Sequence, residues 1–95
     1  MKKWSVGLAW RISFTPQAER DLGKIDSQNA GRINRYLRDR VAPNPRALGG
    51  PLKGRLREFW RYRVGDYRVL AKVEDEQLLV LVVKIGHRSE VYDGS

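Results

Sequence analysis

Apolar and polar residues alternate along the first recognisable element of the chain, Leu8–Phe14 (LAWRISF). One side of the alternation carries Leu8, Trp10, Ile12 and Phe14, and the other carries Ala9, Arg11 and Ser13. A period of two is typical of a strand that buries one face, so the pattern predicts a first β-strand here. The preceding residues, 1–7, carry no such pattern and are predicted to be a flexible extension.

Helical spacing replaces this alternation after the first strand. Thr15-Pro16 predicts an N-cap followed by proline at the first helical position. The apolar residues Ala18, Leu22 and Ile25 recur at i, i+4 and i+7 and predict a short amphipathic helix. Asp26-Ser27 predicts the cap of a second helix near Gln28–Arg40, and the prolines and glycines of residues 43–51 predict a loop.

The polar side of the second helix carries four arginines, Arg32, Arg35, Arg38 and Arg40. We interpret most of this charge as a solvated surface. The alternative is that some of these arginines follow an RNA backbone.

The stretch Glu58–Arg68 (EFWRYRVGDYR) predicts a tight β-hairpin, because two aromatic-rich runs flank the dipeptide Gly65-Asp66. A two-residue turn determines how the strands pair. It predicts three opposed pairs: Val64 with Tyr67, Arg63 with Arg68, and Tyr62 with Val69. Trp60 and Tyr62 then share a face that we interpret as core.

Three arginines of this hairpin, Arg61, Arg63 and Arg68, are predicted to share the opposite face. Like charges directly opposite each other destabilise a sheet, so stability alone does not account for Arg63 facing Arg68. An anionic ligand would account for it. The alternative is that the arginine stems cover apolar surface while the guanidinium groups are simply solvated.

A second hairpin is predicted between Tyr67–Val73 and Leu78–Ile85, around the acidic turn Glu74–Gln77. The run Leu78–Val83 (LLVLVV) is apolar on both faces, which is typical of a central strand covered on both sides. Two helices can cover only one face. A protein partner, or the curl of the sheet itself, is therefore expected to cover the other.

The composition is that of one small basic domain, predicted to span residues 1–95. The 19 lysines and arginines exceed the 11 acidic residues by 8, which favours nucleic acid or an acidic protein as a partner. With no cysteine and one histidine, neither a disulfide nor a histidine-rich metal site is expected. No apolar run is long enough to cross a bilayer and no signal-peptide pattern opens the chain, so a cytoplasmic location is expected.

Three segments together resemble a known protein family. They are Leu52-Lys53-Gly54, the hairpin residues 60–69 (WRYRVGDYRV), and Gly86-His87-Arg88 followed by Val91-Tyr92. This pattern resembles the RelE/ParE superfamily of bacterial and archaeal toxins over nearly the whole chain from Trp10. The resemblance implies an α+β fold of the order β-α-α-β-β-β, in which two N-terminal helices pack on a small, mainly antiparallel, curled sheet.

The resemblance also implies a function. RelE-type toxins cleave messenger RNA in the ribosomal A site, whereas ParE-type toxins inhibit DNA gyrase without nuclease chemistry. We expect the RelE-like endoribonuclease, acting without a cofactor and giving a 2′,3′-cyclic phosphate. The alternatives are a ParE-like gyrase inhibitor and a basic binding module without catalytic activity.

A toxin of this superfamily implies an antitoxin, expected to be an acidic protein whose amphipathic helix covers the sheet or a basic groove. The two proteins could assemble into a higher-order heteromer. The ribosome and messenger RNA are the other expected partners, and no membrane is involved.

The family's functional positions are occupied in this sequence. The resemblance implies catalytic roles for Arg61, Arg68, Arg88 and Tyr92, and phosphate binding by Lys53. Arg63 stands with Arg61 at the family's pair of basic catalytic positions, and we expect it to hold the flanking RNA backbone. Arg55 joins the binding residues because it lies in the basic, aromatic-rich stretch Pro51–Arg68. Arginine stays protonated, so it would clamp the phosphate rather than act as a general base. His87 is a candidate for proton transfer, because histidine titrates near neutral pH; the alternative is a polar residue that joins strand to tail.

Overall fold

The computed structural model describes residues 9–89, in which two helices pack on a five-stranded mixed sheet. The strands are β1 (Arg11–Phe14), β2 (Gly50–Pro51), β3 (Trp60–Val64), β4 (Tyr67–Glu74) and β5 (Leu79–His87), and the helices are α1 (Pro16–Gly23) and α2 (Ser27–Tyr36). The sheet order is β1-β5-β4-β3-β2, with β1 parallel to β5 and every other pair antiparallel. The predicted α+β class is confirmed, with the two-residue β2 as an additional strand. The predicted flexible extension, 1–7, lies outside the described residues.

Both predicted helix caps are present. The Thr15 hydroxyl accepts a hydrogen bond from the Ala18 amide at 3.1 Å, and the Asp26 carboxylate accepts one from the Asn29 amide at 3.0 Å. Each bond satisfies an amide that has no partner within the helix. The local sequence therefore determines where the two helices begin.

Two predicted boundaries were wrong. The first strand begins at Arg11 rather than Leu8, because the Trp10 amide donates to the Ala42 carbonyl at 2.9 Å instead of joining the sheet. Helix α2 ends at Tyr36 rather than near Arg40, and the chain continues as one π-helical turn, Leu37–Val41. Pro43 and Pro45 have no amide N–H with which to extend an α-helix. The wider turn closes with the Ala42 amide bonded to the Leu37 carbonyl at 2.9 Å.

One face of the sheet, which we call the helix face, forms the main core with the helices. Its buried members are Ala18, Ile33, Leu37 and Val41 from the helical segments and Tyr62, Val64, Val69, Ala71, Val80, Val82 and Ile85 from the strands. No helix among residues 9–89 is long and apolar enough to span a membrane.

Tyr62 ties the loop that follows the π-turn to this core. Its side chain is fully buried, and its hydroxyl donates to the Pro45 carbonyl at 2.7 Å. Burial raises the pKa of the Tyr62 phenol far above its usual value. The same loop touches β3 at Gly49, whose φ is +66° and where a Cβ would lie 2.1 Å from the Arg61 carbonyl oxygen. Only glycine fits this approach.

The opposite face, which we call the open face, carries a second, smaller apolar cluster. Leu52 and Leu70 are buried in it, with Leu56, Phe59 and Val83 packed around them. Leu52, Leu56 and Phe59 belong to the segment between β2 and β3. The chain therefore covers part of the open face itself, while β5 lies between β1 and β4 as the predicted central strand.

A buried carboxylate that the apolar pattern did not reveal joins α1 to β5. Asp21 is 9% exposed, and its two oxygens accept hydrogen bonds from the Ile85 amide at 3.0 Å and the Gln17 side chain at 2.7 Å. Strand β1 ends at Phe14, opposite Val82, so the edge of β5 beyond that point has no neighbouring strand. The Asp21 carboxylate takes the place of a strand carbonyl there.

Candidate phosphate-binding site

The hairpin of β3 and β4 adopts the predicted register. Val64 pairs with Tyr67, Arg63 with Arg68 and Tyr62 with Val69. Gly65 has a φ of +60°, whereas Asp66 is not among the residues with positive φ, which is the signature of a type II′ turn. The twist of this turn type matches the twist of the strands that it joins. The two turn residues therefore determined the register of β3 against β4.

Alternation along the paired strands brings Arg61, Arg63 and Arg68 to the open face. Directly opposed residues have Cβ atoms about 4.5–5.5 Å apart and diagonal ones about 7–8 Å, so the three guanidinium groups can reach one phosphate. Arg63 is exposed, and Arg61 and Arg68 are half-buried. Arg68 also donates to the Tyr67 carbonyl at 3.3 Å.

Arg88 joins the same end of the sheet. Its amide donates to the Asp66 carbonyl at 2.7 Å, which extends the β4–β5 register by one pair beyond Tyr67 and His87. Alternation then places Arg88 on the face of Arg68. Its side chain is exposed beside the hairpin turn.

Lys53 and Arg55 lie in the segment that packs on the open face. Arg55 is in a short 3₁₀ turn, Gly54–Leu56, which Lys53 precedes, and both side chains are exposed. Lys72 also belongs to this region, since its ammonium lies 5.5 Å from the centroid of the Phe59 ring. The sequence interpretation missed Lys72, although alternation from Arg68 along β4 would have found it.

His87 lies on the helix face, away from the arginines. A bulge in β5 pairs Ala71 with Val82 but Leu70 with Lys84, so Val83 is an extra residue and the alternation reverses beyond it. His87 consequently stands edge-on to Tyr67, with ring centroids 5.7 Å apart, and its Nδ1 accepts from the Ser89 amide at 3.3 Å. It lines a cavity of about 550 Å³ that Asp21 also lines.

The described part of the site is built from cations. The strand positions that neighbour the arginines on the open face carry no acid; they are Gly50, Leu70, Lys72, Lys84 and Gly86. Among residues 9–89 there is no group of three or more His, Asp or Glu side chains that could hold a metal ion. The arrangement can bind and polarise a phosphate group. Tyr92, the remaining predicted site residue, lies outside the described residues.

Comparison with known proteins decides the family. Residues 12–92 match the family described as the ParE toxin of the type II toxin–antitoxin system parDE. The chain belongs to this family. It is a type II toxin of the RelE/ParE superfamily.

Sequence relatives and solved structures agree with this assignment. The chain is 27% identical to toxin RelG of Mycobacterium tuberculosis over 90% of its own length and 98% of the relative's. It is 30% identical to toxin RelE of the same organism, over 87% of this chain and 86% of that toxin. The toxin–antitoxin complex RelBE2 from M. tuberculosis contains a chain that matches with a TM-score of 0.81 at 26% identity, over 87% of this chain and 95% of that one. A variant of E. coli toxin RelE in the free state matches with a TM-score of 0.73 at 26% identity, over 90% and 93%.

Proposed function

We propose that this toxin is an endoribonuclease that cleaves messenger RNA in the ribosomal A site. The ribose 2′-oxygen attacks the adjacent phosphorus, the bond to the 5′-oxygen of the next nucleotide breaks, and the products are a 2′,3′-cyclic phosphate and a 5′-hydroxyl. One proton leaves the 2′-hydroxyl and one is added to the departing oxygen. The toxin then stops translation by destroying the message on the ribosome.

The observation that carries this proposal is the cluster of Arg61, Arg63 and Arg68 on the open face, with Arg88 at its edge. The transition state concentrates negative charge on the phosphoryl oxygens, and donors already aimed at that charge lower its energy. Arg61, Arg68 and Arg88 would clamp the scissile phosphate. Lys53, Arg55 and Arg63 would hold the flanking backbone, and Tyr92 would orient the base or the attacking sugar.

The location of His87 on the helix face disfavours it as the group that transfers protons at the arginine cluster. Arginine keeps its proton throughout and cannot serve as the base. We therefore assign proton transfer to the RNA itself or to groups of the ribosome. The arginines would then contribute electrostatic stabilisation alone.

We infer that this protein acts in the cytoplasm and binds an antitoxin there. A related toxin has been solved in the RelBE2 complex, and E. coli and Pyrococcus horikoshii RelE have been solved with RelB. The net charge of +8 favours an acidic protein, and half-buried Leu79 and Leu81 offer apolar surface to an amphipathic helix. We expect the antitoxin to be a small acidic protein encoded beside this toxin, and the two should co-purify. Independent elution of the two proteins would contradict the inference.

Inhibition of DNA gyrase is the second candidate, because the matching family is described as a ParE toxin. A gyrase inhibitor does not need a phosphate clamp. The arginine cluster therefore favours the ribonuclease, and the two targets can be separated directly.

The test adds the purified toxin to programmed bacterial ribosomes and maps messenger ends by primer extension. We expect a new cut in the A-site codon, and Arg61→Ala or Arg88→Ala should slow it about 10²–10³-fold, the usual effect of losing one oxyanion donor. Tyr92→Phe tests the proposed role of Tyr92. Arg20→Ala is the control, because Arg20 is an exposed arginine of α1.

Intact messenger from a folded sample that arrests growth would contradict the ribonuclease. Inhibition of gyrase supercoiling by the same sample would then support the second candidate.

A further inference from the structure

Four arginines converge on a cleft between α2 and the tip of the β3–β4 hairpin. The cleft has a volume of about 420 Å³. It is lined by Arg32, Arg35, Tyr36, Asp39, Arg40, Arg63, Val64 and Gly65. Arg32, Arg35 and Arg40 belong to one continuous helical segment, α2 and the π-turn, and tertiary packing brings Arg63 of β3 beside them.

The charge of this cleft is not neutralised by the described part of the protein. All four arginines are exposed, and none forms an ion pair with a carboxylate of residues 9–89. The one acid of the lining, Asp39, is held by Arg38 through two hydrogen bonds of 2.7 and 3.1 Å. Asp39 therefore interacts most strongly with Arg38, which does not line the cleft, and more weakly with Arg35, which does. Four arginines against this one carboxylate leave the cleft positively charged.

Two of the arginines are positioned by contacts with neighbouring groups in the fold. The Arg32 guanidinium lies against the hairpin turn, where a Cβ on Gly65 would come within 2.7 Å of its Nη1. The Arg40 guanidinium lies 5.9 Å from the centroid of the Tyr36 ring. Side chains held in this way lose less entropy when they bind a ligand.

The cleft is continuous with the arginine cluster of the open face. Among residues 9–89, strand β2 pairs only with Trp60 and Arg61, so no strand neighbours the outer edge of β3 from Tyr62 to Val64. Arg63 belongs to the open face by register and also lines the cleft. A polyanion can therefore pass from one arginine set to the other over this edge.

We propose that this cleft binds the phosphodiester backbone of RNA, as a second contact separate from the clamp on the scissile phosphate. A bound peptide would need apolar pockets for its anchor side chains. The apolar lining consists only of buried Val64 and half-buried Tyr36, so the cleft offers repeated cationic forks and no such pocket. The inference rests on the proposed function only in taking RNA as the polymer.

The test measures binding of a single-stranded 2′-O-methyl RNA, which lacks the attacking hydroxyl, as a function of salt. The variant is Arg32→Gln/Arg35→Gln, and the control is Arg11→Gln/Arg20→Gln, which removes the same charge from exposed positions on β1 and α1. Each phosphate contact to a single strand contributes about 0.7 to the slope of log K against log salt. The cleft variant should therefore lose about 1.4 of the slope, whereas the control should lose much less.

Equal slopes in the two double variants, or no RNA binding by the wild type, would overturn the inference. Polyglutamate serves as a second probe that represents an acidic protein. If the cleft variant loses polyglutamate binding but retains RNA binding, the inference is overturned and the cleft is assigned to an acidic protein. The ribosome cleavage assay separates this inference from the proposed function. If the wild type cleaves messenger but the salt slope of RNA binding does not depend on Arg32 and Arg35, only the inference about the cleft is contradicted. If the cleft variant lowers the slope but the wild type does not cleave messenger, only the proposed nuclease is contradicted.

Discussion

Replacing Asp21 by alanine should loosen β5 from α1. The carboxylate satisfies the Ile85 amide, in a part of the strand that β1 does not reach, and Ile85 is 3% exposed. Water cannot readily replace the lost acceptor at such a site. The strand that leads to His87 and Arg88 would lose its attachment on one side.

The expected cost follows from the type of bond. A hydrogen bond to a charged group contributes about 1.5–3 kcal/mol, and alanine returns up to about 0.7 kcal/mol because it is the better helix former. The net loss in the free energy of unfolding is about 2 kcal/mol. For a domain of this size each kcal/mol lowers Tm by about 4–8 °C, so we expect a decrease of about 8–16 °C.

Urea unfolding monitored by circular dichroism measures this loss, and hydrogen exchange of the Ile85 amide locates it. Asp21→Asn keeps an oxygen acceptor but replaces the hydrogen bond to a charged group by a neutral one, which contributes about 1 kcal/mol. This variant should therefore cost about 1 kcal/mol, less than alanine. Glu19→Ala removes the same charge from an exposed position of α1 and should change stability little. If Asp21→Ala and Glu19→Ala destabilise equally, or Ile85 exchange does not change, the Asp21 bond is not what holds β5.

Three further substitutions test the fold and the site. Tyr62→Phe should cost about 1–2 kcal/mol, because it leaves the Pro45 carbonyl without its donor. The raised pKa of Tyr62 stabilises the fold below pH 10.0, the ordinary tyrosine value, and this contribution is lost at higher pH. The advantage of the wild type in urea unfolding should therefore shrink from pH 8 to pH 11, and a constant difference would contradict the assignment. Gly49→Ala should cost at least about 2 kcal/mol, because positive φ alone costs about 1–2 kcal/mol and the new Cβ would meet the Arg61 carbonyl. Gly50→Ala, with no atom within 4 Å of its Cβ, is the matched control, and similar losses would argue against the contact. Arg63→Glu should stabilise the free protein by about 0.2–1 kcal/mol, because the repulsive pair of Arg63 and Arg68 becomes an attractive pair of Glu and Arg68. RNA cleavage by this variant should fall. Arg20→Glu controls for net charge, and equal stabilisation by both would mean that the Arg63–Arg68 pair is not repulsive.

The features that the sequence alone determined are those governed by neighbouring residues. The Gly65-Asp66 turn specified the pairing of β3 with β4, and the pairing specified which face carries Arg61, Arg63 and Arg68. Thr15 and Asp26 specified where the helices begin. In each case the interacting groups lie within a few residues of one another, so short-range chemistry suffices.

Other features depended on distant parts of the chain. Asp21 lies on the same side of α1 as the buried Ala18. The residues around Asp21 do not indicate that its carboxylate accepts a hydrogen bond from an amide 64 residues away. The cleft of Arg32 and Arg63 likewise exists only because α2 packs beside the hairpin tip.

The position of His87 is the sharpest example. Unbroken alternation from Val80 would place His87 on the open face with the arginines. The extra residue Val83 reverses the alternation and sends His87 to the helix face, while Gly86 lies opposite Arg68. An all-apolar run such as LLVLVV shows no period, so it cannot reveal where a bulge falls. The bulge is decided by how β5 must pair with β4 while Val82 and Ile85 both reach the core.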